Sequence, residues 1–306
     1  DAEKWLKLAY GLKARYTMHL LKRSANKDAD MEKVLEYVDN SFESAEEQAA
    51  FDVYDANNIN PLYGFFVARA GLGASESMRS KLAEYNDPRL SRAFITKQGT
   101  SGKEQAPGTA DNAVYAPNGT PEQGTSKYGT SLFMYSISAP TLLLSYHELK
   151  FLEAEALCRL ERDAKSALKD AVVAGLLNAE NSFTISRKEL GKTLINAASS
   201  ITEAEAESYF DNTIEAKYTA EPLKTTMTQK YFALWGASGE ATESYNDVRR
   251  MKGLGENFIE LKNPNSFPLR CPYGNSDTTT NAEVKAAYGN GQYVYSENVW
   301  WAGGSR

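Results

Sequence analysis

Leucines and alanines recur at spacings of three and four from Leu149 to Leu160, with charged residues set between them. Leu149, Leu152, Ala156 and Leu160 therefore share one helical face. Ser145 and Glu148 make an S-x-x-E capping box at the start of that helix, in which each side chain would satisfy a backbone N–H. Leu144 and Leu149 are placed to close a hydrophobic staple across it. The polar run Glu161-Arg162-Asp163 ends the helix. Ala164, Leu168, Ala171 and Gly175 then line a second face, narrow enough for close contact between helices. Residues 138–177 thus read as a helix–turn–helix pair of tetratricopeptide type, with small residues inside and charges outside.

The rest of the chain alternates helical periodicity with irregular stretches. Trp5, Leu8, Leu12, Tyr16 and Leu20 fall on one stripe and predict an amphipathic first helix, although Gly11 stands where a helix former is expected. A second helix is expected over about 30–38, and 44–51 shows no clear period. From Asp52 to about Ile137 the segment is rich in Asn, Gly, Pro, Ser and Thr, with helical periodicity only over 73–84. Asn86-Asp87-Pro88-Arg89-Leu90 predicts a turn in which Asp87 bonds nearby backbone. Residues 102–129 read as one long irregular loop. Further helices are expected over 185–195, over 204–218 behind Thr202, over 226–235 and over 241–251. The tail from Pro264 is expected to wrap over the helices and add few of its own. The expectation is one predominantly α-helical domain over 1–306, with tetratricopeptide-like pairs, long loops and little sheet. Its helical core would be about 1–51 and 138–251, its loop-rich insert about 52–137, and its wrapping tail about 252–306.

Composition narrows the chemistry. A net charge of −6, with no basic cluster to offset it, argues against nucleic acid, because phosphate binding needs a surplus of Lys and Arg. No apolar run reaches membrane-spanning length, and no signal peptide is present. Of the two cysteines, Cys158 sits in the small-residue helix as an expected buried free thiol, and a bridge to Cys271 stays open at this point. No metal-ligand cluster accompanies them, and no cofactor is expected. His19 lies on the first helix, and His147 lies in the first turn of the central one, where solvent exposure is expected. No nucleophile elbow, phosphate loop or Cys/His pair occurs. Glu153 and Glu155 cannot flank a glycosidic bond, since i and i+2 on a helix face different ways. The expectation is a protein that is not an enzyme.

A pyranose offers a C–H face that packs on aromatic rings and a hydroxyl rim that takes polar hydrogen bonds. The 18 tyrosines and 4 tryptophans suit packing and sugar stacking equally. Two segments join aromatic and amide side chains on sequence that reads as irregular, Val53–Tyr63 and 113–118, and Tyr128 belongs to the same region. Tyr54, Tyr63, Tyr115 and Tyr128 are therefore candidate stacking residues, and Asn57, Asn60 and Asn118 candidate hydroxyl contacts.

Several of these stretches resemble one family. LLLSYHELKFLEAEALCRL carries Glu148, Glu153, Ala154, Glu155 and Ala156 at positions that resemble the SusD/RagB-type glycan-binding lipoproteins, though Glu161 stands where that family often has Gly. The resemblance extends to Trp5, Leu12 and Arg15 in the first helix and to the Asn86–Leu90 turn. It continues through Gln229 and Lys230, through Glu243, Asn246, Asp247, Arg249 and Arg250, and through Pro268, Arg270, Pro272, Tyr273 and Asn281 in the tail. There Gly274 and Asp277 depart from the usual Pro and Glu. The resemblance implies non-catalytic binding of oligosaccharide or polysaccharide by a surface-exposed lipoprotein of the outer membrane. It implies delivery of that glycan to a SusC-like TonB-dependent transporter. It also implies a lipid anchor and further helices before the equivalent of Asp1, which makes this chain a C-terminal portion. Glu153, Arg249 and Arg250 look architectural in that family. The rival expectation is a helical-repeat scaffold that binds a protein partner.

Overall fold

The helices run in the order α1 (Ala2–His19), α2 (Lys27–Asp39), α3 (Pro61–Arg69), α4 (Glu76–Glu84), α5 (Tyr146–Arg159), α6 (Lys165–Leu190), α7 (Glu203–Tyr209), α8 (Glu215–Ala220), α9 (Pro222–Ala233), α10 (Ala241–Leu254), α11 (Asn275–Thr280) and α12 (Ala282–Tyr288). The computed structural model describes residues 2–69, 72–98, 103–105, 114–119, 128–191, 194, 197–263 and 266–305. Sheet is sparse among them. Strands β1 (Ala49–Phe51) and β5 (Thr141–Leu144) pair antiparallel, and β2 (Phe94–Gln98) lies between β3 (Lys103–Gln105) and β4 (Thr130–Ser131). Neighbouring helices pack as the pairs α1–α2, α5–α6 and α8–α9. The fold is mainly helical, as the periodicity predicts.

α5 is the hub. Leu149, Leu152 and Ala156 join Leu8, Met18, Met31 and Val34 of α1 and α2 in one apolar cluster. Phe151 and Ala154, on its other side, enter the main core with Leu168, Ala171, Leu176 and Phe183 of α6 and Phe232 of α9. Ser145 Oγ accepts the Glu148 N–H at 3.0 Å, so half of the expected capping box is present. The other half is not made by Glu148. The Ser145 N–H donates instead to Glu240 Oε1 at 3.0 Å. Glu148 turns inward and takes Arg15 Nε at 2.8 Å, because a buried guanidinium offers it stronger, charge-assisted bonds.

The staple leucines explain Gly11. A Cβ there would lie 2.2 Å from Leu144 Cδ2 and 2.8 Å from Ser41 Oγ, so only glycine lets α1 lie this close. That contact line also corrects the expected stripe on α1. Its buried residues are Leu8, Gly11, Ala14, Arg15 and Met18, whereas Trp5 and Tyr16 are 68% and 54% exposed. The helix is turned so that Leu8, Gly11, Ala14, Arg15 and Met18 face the core, and Trp5 and Tyr16 do not.

Three further expectations change. First, α6 continues unbroken from Lys165 to Leu190, where separate helices were expected up to 177 and from 185. Ser182, Phe183 and Ser186 are buried, and the Ser186 and Ser136 hydroxyls lie 2.7 Å apart. Tertiary burial thus overrides the weak helix propensity of that stretch. Second, α3 forms inside the segment read as irregular, with Asn60 Oδ1 accepting the Leu62 N–H at 2.8 Å and Pro61 at the first helical position. Third, His147 is buried rather than exposed, with Nε2 3.2 Å from Glu240 Oε2. The tail adds only the short helices α11 and α12. The 102–129 loop falls largely outside the described residues, and its described part includes β3.

The turn after α5 places Glu161 at φ +57°. Glu161→Gly is expected to raise stability by about 0.5–1 kcal/mol, since a left-handed backbone strains a residue with a Cβ. A denaturation midpoint unchanged or lowered at constant slope would contradict this.

Candidate functional site

The seven sequence-derived residues do not gather at one place. Asn60 is 1% exposed, and its amide donates to Ala139 O at 2.8 Å, so it caps α3 and ties it to the core. Tyr115 and Tyr128 are each 6% exposed. The Tyr115 ring meets Phe94 edge-on at 5.3 Å and carries the Arg79 guanidinium at 5.1 Å. Neither ring offers a face for stacking. Tyr54 is half-buried, with its hydroxyl 2.9 Å from Thr141 Oγ1 and Phe51 against its ring. Tyr63 sits on α3, not a loop, and donates to Glu189 Oε1 at 3.2 Å. Asn57 is exposed in a turn held by Asp55, whose Oδ1 accepts the Asn57 and Asn58 N–H groups at 2.7 Å. Asn118 accepts from Ser75 Oγ at 2.8 Å, and it borders a polar groove with Ser77, Lys81, Tyr85 and Asn257.

Aromatic faces and polar groups do converge elsewhere. The last turn of α1, the middle of α10 and the C-terminal turn Trp300–Ala302 enclose a cleft of about 390 Å³. That volume lies in the lower part of the range typical of small-ligand pockets. Tyr16, Leu20, Trp300 and Trp301 supply its apolar lining, and His19, Asn246 and Arg249 its polar groups. Trp300 and Tyr16 are each 54% exposed.

Each wall has a visible support. The Arg23 guanidinium lies 4.9 Å from the Trp300 ring and donates through Nε to Trp300 O and through Nη2 to Gly304 O. The chain closes there only because residue 304 is glycine: a Cβ would meet Asn298 O at 1.9 Å. Arg249 lies 4.8 Å from the Trp301 ring and donates to Leu269 O at 2.7 Å, which fastens the tail to α10. His19 Nε2 is 2.8 Å from Glu243 Oε2, and the Asn246 amide donates to the other Glu243 oxygen at 3.3 Å. Burial pushes the Glu243 carboxyl up, but His19 and Arg15 outweigh it and pull its pKa down to about 2. Arg250 also lines the cleft, but its guanidinium is committed to Glu155 and Asp247. Trp300 and Trp301 are the residues sequence reasoning passed over. Their signal was two adjacent tryptophans in a Gly- and polar-rich tail, away from any helical period that would bury them.

Among the described residues, no three His, Cys, Asp or Glu side chains gather as metal ligands. Cys158 and Cys271 are free thiols, and burial pushes the Cys158 thiol pKa up. No helix among the described residues is long and apolar enough to cross a membrane.

Paired helices carrying an aromatic cleft define the class as an α-helical protein built from packed helix pairs. More particularly, the chain belongs to the SusD-like family described as starch-binding and associating with the outer membrane, whose model matches residues 1–273. A SusD/RagB family protein from Bacteroides thetaiotaomicron is 66% identical over 100% of this chain and 66% of its own, with a TM-score of 0.94. A SusD homologue from Bacteroides fragilis shares the fold at 19% identity and TM-score 0.71, covering 98% of this chain and 67% of its own. A chitin-binding protein does so at 20% identity and TM-score 0.68, over 99% and 65%. The chain spans about two thirds of the length of these solved structures. None of the curated proteins matches it.

Proposed function

We propose that this protein is a non-catalytic, surface-exposed glycan-binding protein of the bacterial outer membrane, which passes oligosaccharide to a TonB-dependent transporter. The observation that carries the reading is the cleft, where solvent-facing Trp300 and Tyr16 stand beside Asn246 and Arg249. This is the pairing of aromatic face and hydrogen-bonding rim that a sugar ring needs. Membership of the SusD-like family supports the same chemistry. The residues lining the cleft include no carboxylate pair of the kind that glycoside hydrolysis requires. Tyr54, Asn57, Tyr63 and Asn118 keep solvent access and remain proposed secondary contacts.

A second reading, a scaffold that binds a protein partner, is favoured by the exposed apolar side chains Phe51, Val53, Ile59, Phe65 and Val67 on one stretch of chain. Calorimetry of the full chain against a panel of neutral and acidic oligosaccharides separates the two. Binding is expected, and Trp300→Ala is expected to weaken it by about tenfold, the worth of one lost stacking contact. Tyr63→Ala is expected to change it little. No binding to any glycan, or release of reducing ends by rigorously purified protein, would overturn the proposal.

A further inference from the structure

Buried and half-buried arginines elsewhere hold a carboxylate: Arg15 holds Glu148, Arg89 holds Asp87, Arg159 holds Glu256, and Arg250 holds Glu155. The cations around the aromatic cleft do not. Arg249 is hydrogen-bonded to a single backbone oxygen, Leu269 O, and lies over Trp301. Arg23 is bonded to the backbone oxygens of Trp300 and Gly304. Lys22 is exposed beside Gly303, and exposed Lys252 reaches Asn257 Oδ1 at 3.5 Å and lies 5.0 Å from the Phe267 ring. Lys22, Arg249 and Lys252 line an adjoining hollow that continues the cleft toward Asn298 and Gly303. Among the described residues, none of these four side chains has a carboxylate within ion-pair distance. The nearby Glu243 carboxylate is hydrogen-bonded to His19 and Asn246 and not to any of these four cations. Glu297 lies 3.9 Å from Arg270.

The result is a cluster of four cations without ion-pair partners among the described residues, on a chain of net charge −6. It coincides with the one cleft described above whose floor is aromatic. Resting on the glycan-binding reading, we propose that the cleft recognises an acidic sugar unit, one bearing a carboxylate or a sulfate. The sugar ring packs on Trp300 and Tyr16, and its anionic group takes the free N–H donors of Arg249. Guanidinium donors match carboxylate and sulfate oxygens in pairs. Lys22, Arg23 and Lys252 add longer-range attraction that salt screens.

The test is calorimetry of the full chain with three oligosaccharides of matched length: an oligogalacturonide, a chondroitin sulfate fragment and a neutral malto-oligosaccharide. At least one acidic oligomer is expected to bind about tenfold tighter than the neutral one, the worth of a single charge-assisted hydrogen bond. The gap is expected to narrow as salt rises from about 50 to 500 mM. Whether carboxylate or sulfate serves is read from which acidic oligomer binds. Arg249→Gln is expected to lower acidic affinity by about tenfold, and neutral affinity by much less. Because Arg249 also pins the tail, Lys22→Gln is the companion variant. It is expected to flatten the salt dependence without altering the circular dichroism spectrum. Equal affinity for acidic and neutral oligomers overturns this inference and leaves glycan binding standing, whereas no binding to any of the three removes both. Tighter binding to phosphatidylglycerol vesicles than to either acidic oligomer would also overturn it, marking the patch as a membrane contact.

Discussion

Glu155→Gln is expected to lower the unfolding free energy by about 3–5 kcal/mol, because it breaks a buried charge network on one side only. The Glu155 carboxylate accepts from Arg250 at 2.6 and 2.8 Å and from Arg159 Nε at 2.7 Å. Arg250 also donates to Asp247 at 2.8 Å, Asp247 lies 2.7 Å from Lys230, and Arg159 is paired with Glu256 at 2.8 Å. Three cations thus balance three anions around the junction of α5, α9 and α10. Removing one anion leaves a guanidinium charge in a place that water cannot reach. Burial pushes the Glu155 carboxyl up, but Arg250 and Arg159 outweigh it and hold its pKa below the ordinary range. Its contribution is therefore fully present above about pH 4.5 and is lost as pH falls through the lower folded value. Urea unfolding at neutral pH reads the effect as a shift in midpoint at constant slope. A loss under about 1 kcal/mol would show that the network is not energetically coupled to the fold.

That network also marks where the sequence was legible. Alternation at three and four residues identified α5 and its buried face correctly, because Leu149, Leu152 and Ala156 are apolar for the plain reason that they are inside. The Asn86–Leu90 turn was equally readable: Asp87 accepts the Arg89 N–H at 2.9 Å, as a local hydrogen bond requires. Charged residues were harder. Glu153 and Glu155 are chemically the same in sequence. Only the packing of α9 and α10 decides that Glu155 is buried against Arg250 while Glu153 stays near the surface with Lys150. Arg15 and Glu148 are separated by more than a hundred residues of chain, so no local pattern announces their contact.

The candidate site was less legible still, and for a related reason. Asn and Tyr are used both to finish backbone hydrogen bonds and to meet ligands, and composition does not separate the two uses. Asn60 followed by Pro61 is a helix start, a signal present in the sequence and outweighed by the polar character of its surroundings. Tyr115 and Tyr128 lie beside polar sequence, yet both are buried, and the Tyr115 ring completes a core that includes Phe94. The cleft draws on α1, α10 and the last residues of the chain, and only folding brings those three together.

Arg15→Leu is expected to cost about 3–5 kcal/mol at neutral pH, and much of that cost should disappear in the double variant Arg15→Leu/Glu148→Leu. Arg15 donates to Glu148 at 2.8 Å and to Leu143 O at 2.9 Å, and Glu148 is 0% exposed. Without the guanidinium, Glu148 is a buried carboxylate beside Glu240, with Lys230 as its remaining nearby cation. Replacing both partners removes the Glu148 carboxylate together with its guanidinium, so no Glu148 charge is left uncompensated, and what remains is the attraction that Glu240 loses with Arg15. The single variant carries a pH signature with a definite sign. Burial pushes the Glu148 carboxyl up and Arg15 pulls it down, so deleting Arg15 raises the folded value further above the ordinary 4.5. Above 4.5 the folded variant then holds a proton that the unfolded chain has released, so its stability falls as pH rises and recovers as pH drops. The deficit relative to the parent should therefore shrink between pH 7 and pH 5, while the double variant shows no such trend. Strictly additive single and double effects, or a deficit that grows on acidification, would mean that Glu148 is not held as an ion by Arg15.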